Sequence, residues 1–334
     1  MRYLLIMNPG SRSGKSQGRF QMIMELLDYF QVTYDYRITT SLEEAYQLSL
    51  EGNLAGYDVI VAVGGDGTIN RVLNGFYDDS GQIRSKAKLG VIYTGTSPDF
   101  CKSYGIPIDI EGAVKALIKP KSKKVQVGKI ILAKAPLKEF DGKSVHEMYL
   151  KENGLDGLSK LEAFKTCYFA CCVNIGLGAD LARRANSGIR GILGDRIGTF
   201  LALLRTLTSY KPENFMICSD GKREVLRNVH NISIGRTFYI ASGIKVRHDL
   251  KDEDRRFYRM TVQDIKVRDL PGIIKRIYSG TEIINNNKIS LDYSEVIDVF
   301  GNSRRPEVEF DGDPAGFLPC RISMAHDALE LITG

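Results

Sequence analysis

One segment constrains this chain more than any other: Val61-Ala62-Val63-Gly64-Gly65-Asp66-Gly67-Thr68-Ile69-Asn70. An apolar strand runs into a glycine turn, and a helical pattern with Val72, Leu73 and Phe76 follows at once. So sharp a passage needs glycines, which adopt backbone angles other residues resist and let the main chain approach an anion closely. Amides that open the helix have no partner within it, and the helix dipole favours negative charge there. Thr68 adds a hydroxyl donor, and Asp66 can position groups near a cation or a phosphate. The same turn also serves as an ordinary strand–helix connection, so its surroundings decide what weight the phosphate reading carries.

Those surroundings alternate. Residues 2–7 form a short apolar strand, and residues 17–30 place Phe20, Ile23, Met24 and Leu27 at helical spacing. Residues 32–38 are β-rich, and Ser41-Leu42-Glu43-Glu44 opens a helix over 41–50 with a capping-box pattern. Residues 57–63 and 88–93 read as buried strands, and residues 69–76 and 110–118 as helices. Strands alternating with helices predict a parallel sheet with right-handed crossovers. Lys119-Pro120-Lys121-Ser122-Lys123-Lys124 then breaks the pattern and reads as a linker.

Beyond it come β-type runs at 125–133, 167–175, 214–218, 231–234, 256–262, 288–291, 296–300, 307–311 and 320–324, with one helix at 195–208. Many strands and few helices predict an antiparallel sandwich. The expected fold is an α/β N-terminal nucleotide-binding domain, residues 1–124, followed by a mainly antiparallel β-sandwich C-terminal domain, residues 125–319.

Composition agrees with two packed domains. The 334 residues are 43% hydrophobic and 26% charged, which excludes a disordered or fibrous chain. No apolar run approaches the roughly 20 residues that a membrane-spanning helix needs. The opening apolar stretch ends at Asn8-Pro9-Gly10, too soon for a signal peptide, so a soluble cytoplasmic protein is expected. Cys101, Cys167, Cys171, Cys172, Cys218 and Cys320 offer no CxxC pair and read as buried thiols. The net charge of +6 is mild, compatible with an acidic partner surface or a solvated face.

Two further loops bear on the glycine turn. Gly10-Ser11-Arg12-Ser13-Gly14-Lys15-Ser16 has three residues before its Gly-Lys pair, where a Walker A loop needs four. Strand 88–93 ends in Thr94-Gly95-Thr96-Ser97-Pro98-Asp99-Phe100, which should open at the same sheet edge as Gly64–Thr68. Nucleotides bind at the carboxyl ends of strands in open α/β sheets. Two such loops together with Asn8-Pro9 point to a nucleotide site.

Taken together, these residues resemble the diacylglycerol kinase catalytic-domain family, which includes sphingosine kinases and bacterial lipid kinases. Asn8-Pro9 with its loop is similar to that family's first motif. Gly64-Gly65-Asp66-Gly67-Thr68-Ile69-Asn70, extended by Val72 and Asn74-Gly75, is similar to its second, and Gly95-Thr96 with Asp99-Phe100 to its third. Thr39 falls where the family has a nucleotide-contacting Thr, and Glu309-Phe310-Asp311-Gly312-Asp313-Pro314 resembles its late Asp-Gly-Glu motif.

The resemblance implies an ATP-dependent kinase acting on a hydroxyl of a diacylglycerol-like lipid, with the site between the domains and Mg²⁺ as metal. It implies ATP contacts at Asn8, Thr39, Gly64, Gly65, Asp66, Gly67, Thr68, Asn70 and Thr96. Asp313 takes the place of the base and Asp66 of its partner on the nucleotide side, while Asp252, Glu253 and Asp254 stand at the metal segment. The end of the chain, from about residue 320, is expected to return to the first domain. A lipid substrate at the inner membrane face is implied as partner, with a homodimer allowed and no nucleic acid.

This sequence departs from the family pattern at four places. Asp313 replaces a Glu, Pro98 an Asn, Gln126 an Asp, and Arg255 stands near where a Gly is usual. Two other readings stay open: a NAD kinase-like enzyme, which shares Gly-Gly-Asp-Gly-Thr, and a divergent, weakly active lipid- or nucleotide-binding relative. Residues 188–210 mix Ile, Leu and Phe with Arg190, Arg196 and Arg205, suiting either an interfacial segment or a helix packed on the sandwich.

Overall fold

A computed structural model describes residues 1–10, 17–136, 162–180, 210–240, 244–269, 272, 288–301, 307–311 and 313–334. The helix expected at 195–208, the rest of segment 188–209 and Lys15 lie outside these residues.

The first domain is built on β1 (Tyr3–Met7), α1 (Gln17–Tyr29), β2 (Tyr34–Ile38), α2 (Leu42–Leu54), β3 (Val59–Gly64), α3 (Asp66–Asn74), β4 (Lys88–Tyr93), α4 (Asp99–Tyr104), α5 (Ile110–Ile118) and β5 (Lys121–Val125). Strands β1 and β3 are buried along their whole length because helices cover both faces of the sheet. Their side chains alternate between two cores. Leu5, Met7, Val59, Val61 and Val63 pack with Phe20, Ile23 and Leu27 of α1 and Val114 of α5. Leu4, Ile6, Ile60 and Ala62 pack with Ala45 of α2 and Ile69, Val72 and Leu73 of α3. The capping pattern at α2 forms with a one-residue shift: Ser41 accepts from the Glu44 amide, while Glu44 reaches back to Thr40 rather than to Ser41.

Eight strands in order lead through the second domain: β6 (Gly128–Ala133), β7 (Phe164–Phe169), β8 (Cys172–Gly176), β9 (Glu213–Ser219), β10 (Lys222–Gly235), β11 (Tyr239–Ile240), β12 (Ile244–Lys245) and β13 (Phe257–Gln263). Then follow β14 (Ile289–Ser294), β15 (Ile297–Gly301), β16 (Glu307–Phe310), β17 (Asp313–Met324) and the final β18 (Leu329–Thr333). The main sheet of this domain runs β14-β13-β10-β8-β16-β17-β15-β9, with antiparallel pairings. Strand β10 makes a sandwich of it: its first half pairs with β9 and its second with β8 and β13, across an irregularity near Asn228, whose φ is 52°. Phe169, Ile175, Phe215, Ile232, Phe257 and Ile322 fill the interior.

The chain end lies in the first sheet. Strand β18 enters the first sheet, whose order is β2-β1-β3-β4-β18-β5. The crossing lies further along than residue 320, because β17 stays paired with β6 as far as Met324.

Residues 119–124 are not a linker. Residues 121–125 form the edge strand β5, antiparallel to β18. Its lysines hide it from a reading of apolar runs, yet charged side chains are how exposed sheet edges resist pairing with other molecules. Ser122 donates to Glu330 at 2.6 Å across that pair. A strand whose partner lies two hundred residues away leaves no local trace of it.

Candidate active site

The strand order places the glycine loops together. Connections leave β1 and β3 in opposite directions, so a crevice opens between their carboxyl ends, where open α/β sheets take ligands. Asn8 follows β1 and Gly64 ends β3. The Asn8 Nδ2 donates to Thr68 Oγ1 at 2.9 Å, its Oδ1 accepts from the Gly10 amide at 2.9 Å, and its own amide donates to the Val63 carbonyl at 2.9 Å. Asn8 therefore ties the first loop to the start of α3. Thr39, after β2, is buried and donates to the Met7 carbonyl from its amide at 2.9 Å. The Thr94 amide donates to the Gly64 carbonyl at 2.9 Å.

Helix α3 starts from Gly65, an extended residue that brings no capping side chain. The amides of Asp66, Gly67 and Thr68 precede the first intrahelical bond, from Ile69 to the Gly65 carbonyl at 3.0 Å. They belong to the turn whose donors a helix cannot satisfy internally. The glycines differ in what they do. A Cβ on Gly64 would lie 2.4 Å from Thr68 Oγ1, and one on Gly95 would lie 2.6 Å from Gly65 Cα and 2.7 Å from the Tyr93 hydroxyl. A Cβ on Gly65 would meet Gly95 Cα at 3.4 Å, an ordinary contact. Gly64 is thus required for the turn to close on Thr68, Gly95 for the two loops to pack, and Gly65 for neither. Thr96 lies exposed just beyond Gly95.

Acids gather at this edge. Burial pushes the Tyr93 hydroxyl and the Cys101 thiol well up, and the charge of Asp66 adds to both, that of Asp99 to Tyr93. Burial raises Cys171 as well, with the charges of Asp311, Asp66 and Asp99 adding to it. Acids from two loops of the first domain and one hairpin of the second therefore act on one thiol at the domain boundary.

That boundary is held by amides. The Asn70 side chain reaches the sandwich, where its Nδ2 donates to the Tyr168 carbonyl at 2.9 Å and to Asp311 Oδ2 at 2.9 Å. One turn on, Asn74 exchanges two bonds with the Tyr168 backbone, both of 2.8 Å. Asp311 also accepts from the amides of Ala170 at 3.1 Å and Cys171 at 3.0 Å. Desolvation raises its pKa even so, against the lowering effect of these donors. Tyr104 of α4 closes the contact by donating to the Ala170 carbonyl at 2.6 Å.

The sequence resemblance makes Asn70 a nucleotide contact and does not disclose Asn74, Tyr168 and Asp311 as a clamp. The spacing of Asn70 and Asn74, one helical turn apart, is the signal that could have found it. Asp311 has a φ of 49° in the turn between β16 and β17, where Phe310 pairs with Asp313. The backbone of Asp313 thus starts β17 directly after the clamp; its side chain is not among the described ones.

The three acids at 252–254 do not converge. Arg256 takes Asp254 from both sides, Nε to Oδ1 at 3.0 Å and Nη2 to Oδ2 at 2.7 Å, and holds its pKa down to about 2. Asp252 and Glu253 are exposed. Among the described residues no group of three or more His, Cys, Asp or Glu could hold a metal ion.

Residues 2–130 match the diacylglycerol kinase catalytic domain, and residues 171–333 match the YegS C-terminal NAD kinase beta sandwich-like domain. The chain thus carries a region similar to the diacylglycerol kinase catalytic domain, followed by one similar to the YegS-type sandwich domain. The chain is similar to a diacylglycerol kinase of Staphylococcus aureus strain bovine RF122 / ET3-1, 36% identical over 129 residues. The match spans 38% of this chain and 39% of the relative's length. Another, from strain JH9, is 46% identical over 74 residues, covering 22% of each chain. The fold is also similar over its whole length to a solved structure of a candidate diacylglycerol kinase from Bacillus anthracis str. Sterne, with a TM-score of 0.70 at 21% identity, covering 100% of this chain and 97% of that one. The two family models match one domain each, and the fold similarity spans both.

Proposed function

We propose that this chain is an ATP-dependent lipid kinase that phosphorylates a hydroxyl of a diacylglycerol-like lipid in the cleft between its domains. The observation that carries this reading is the switch-point edge, where the Asn8–Thr68 bond and the Gly65–Gly95 approach fix the opening amides of α3, which have no acceptor within the helix. Donors fixed in this way stabilise charge on a transferring phosphoryl group without reorganising. ATP sits with its phosphates at these amides and close to Thr39 and Thr96.

Asp313 removes the proton of the acceptor hydroxyl. The freed oxygen bonds to the γ-phosphorus as the bond to the β–γ bridging oxygen breaks, and ADP leaves with that electron pair. Asp66 orients the groups on the nucleotide side. Asn70, Asn74 and Asp311 hold α3 against the hairpin that carries Asp313, so donor and acceptor meet in fixed register. The acids of residues 252–254 do not fit a divalent ion held by the protein, and the chain's own residues carry the proton transfer and the positioning. The resemblance implies a substrate presented at a membrane surface; no described helix is long and apolar enough to cross one.

Purified chain incubated with γ-labelled ATP and either diacylglycerol in mixed micelles or NAD tests this. Label should enter the lipid phase as a phosphomonoester and disappear in Asp66→Ala. Label on NAD would establish the NAD kinase reading, and label on neither acceptor would leave only a binding relative.

A further inference from the structure

The segment at residues 251–256 carries three acids, yet its organising charge comes from elsewhere. Arg236, just past the end of β10, sends its guanidinium into the loop. Nη2 donates to the Lys251 carbonyl at 2.9 Å and to the Asp252 carbonyl at 3.5 Å, and Nη1 donates to the Arg256 carbonyl. Three main-chain oxygens from both ends of a six-residue loop converge on one cation. Converging carbonyls repel one another, and a donor group shared between them favours that shape. A guanidinium, with five N–H groups in a rigid fork, provides such donors from one side chain.

The base of this side chain is anchored as well. The Arg236 amide donates to the Cys171 carbonyl at 3.3 Å, and the next residue, Thr237, accepts from the buried Tyr258 hydroxyl at 3.0 Å. Meanwhile Arg256 occupies Asp254, whose Oδ1 also accepts from the Arg256 amide at 2.9 Å. A divalent ion entering here would meet two guanidinium groups, the neighbouring Lys251 and Arg255, and carbonyls already in use. Magnesium in particular demands near-octahedral oxygen ligands at close range.

We propose that Arg236 is the resident cation of this loop and that residues 251–256 keep their shape without a divalent ion. The family resemblance marks this segment for metal; in this chain a covalently attached charge does that work, and no chelator can remove it. The inference stands apart from the kinase reading, because it concerns the nucleotide-free protein.

The test uses the full chain without nucleotide. Thermal melting in EDTA and in millimolar Mg²⁺ should give the same Tm. A Mn²⁺ titration followed by electron paramagnetic resonance should give the same isotherm for wild type and Asp254→Asn. Arg236→Met should lower Tm, while Arg255→Met, on the exposed neighbour, should leave it in place. A stoichiometric Mn²⁺ site that raises the wild-type Tm and vanishes in Asp254→Asn would overturn the proposal, as would equal Tm for Arg236→Met and wild type. Mn²⁺ binding that survives Asp254→Asn lies elsewhere and leaves the assignment standing. Should Arg236→Met fail to fold, the wild-type and Asp254→Asn comparison decides.

Discussion

The glycine edge at Gly64–Thr68 and the acidic loop at residues 251–256 both stand out in the sequence, and the fold treats them in opposite ways. At the glycine edge the backbone carries the information: a residue without Cβ permits one close approach, and that approach forms wherever the strand and helix form. In the acidic loop the information sits in charges, whose meaning depends on what arrives from other parts of the chain. Arg256 and Arg236 arrive, and three carboxylates that suggest a metal become an ion pair and two solvated groups. Backbone-coded sites can be read locally; charge-coded sites require the partners.

Removing one carboxylate that serves the glycine edge from across the cleft and one from the acidic loop should have the most different effects. Asp313→Asn should lower kcat by roughly 10²–10⁴-fold, the range for loss of a general base, with KM for ATP little changed. Asp252→Asn should leave lipid phosphorylation close to wild type. Near-normal turnover in Asp313→Asn would return that residue to a hairpin role and move the base to Asp66, Asp99 or the acids at 252–254.

Within the glycine edge, Gly95→Ala and Gly65→Ala should differ. Gly95→Ala drives a Cβ against the Gly65 backbone and should cost about 1–3 kcal/mol, as overpacking does, visible in Tm. Gly65→Ala has room and should keep its Tm while losing ATP-dependent turnover. Equal Tm losses would show that Gly65 answers to packing after all.

The amide clamp lies between the two regions. Asn70→Ala removes a donor from buried Asp311 and should cost about 1–3 kcal/mol. Asp311 has a folded pKa above its ordinary 3.8, so its contribution is most favourable below that value and is lost as pH rises through the folded pKa. Losing a donor to the ionised form raises that pKa further. The Asn70→Ala deficit in melts should therefore shrink as pH falls towards 3.8, and a deficit independent of pH would mean Asn70 acts through Tyr168 alone.

Asp254→Asn should have the smallest effect, at most about 1 kcal/mol for a pair with an exposed partner. Its sign is opposite in origin. A pKa lowered to about 2 gives stability that is present above 3.8 and lost as pH falls through about 2. The difference from wild type should close over that window, and a difference that persists below it would show that the loop loses more than the ion pair.

Most elements of the first domain, the glycine edge and the switch from α/β to sandwich were legible in the sequence; helix α4 and strand β5 were not. The legible features follow from period, capping and glycine geometry, all set by neighbours a few residues apart. Only the tertiary structure decided that Lys121–Val125 is an edge strand, because its partner β18 lies at the far end of the chain. Tertiary structure likewise turned Asn70 towards Asp311, 241 residues away, and placed Arg236 among the carbonyls of residues 251–256. A hydrogen bond or ion pair chooses its partner by distance in space, and that distance exists only once two separate sheets have packed against each other.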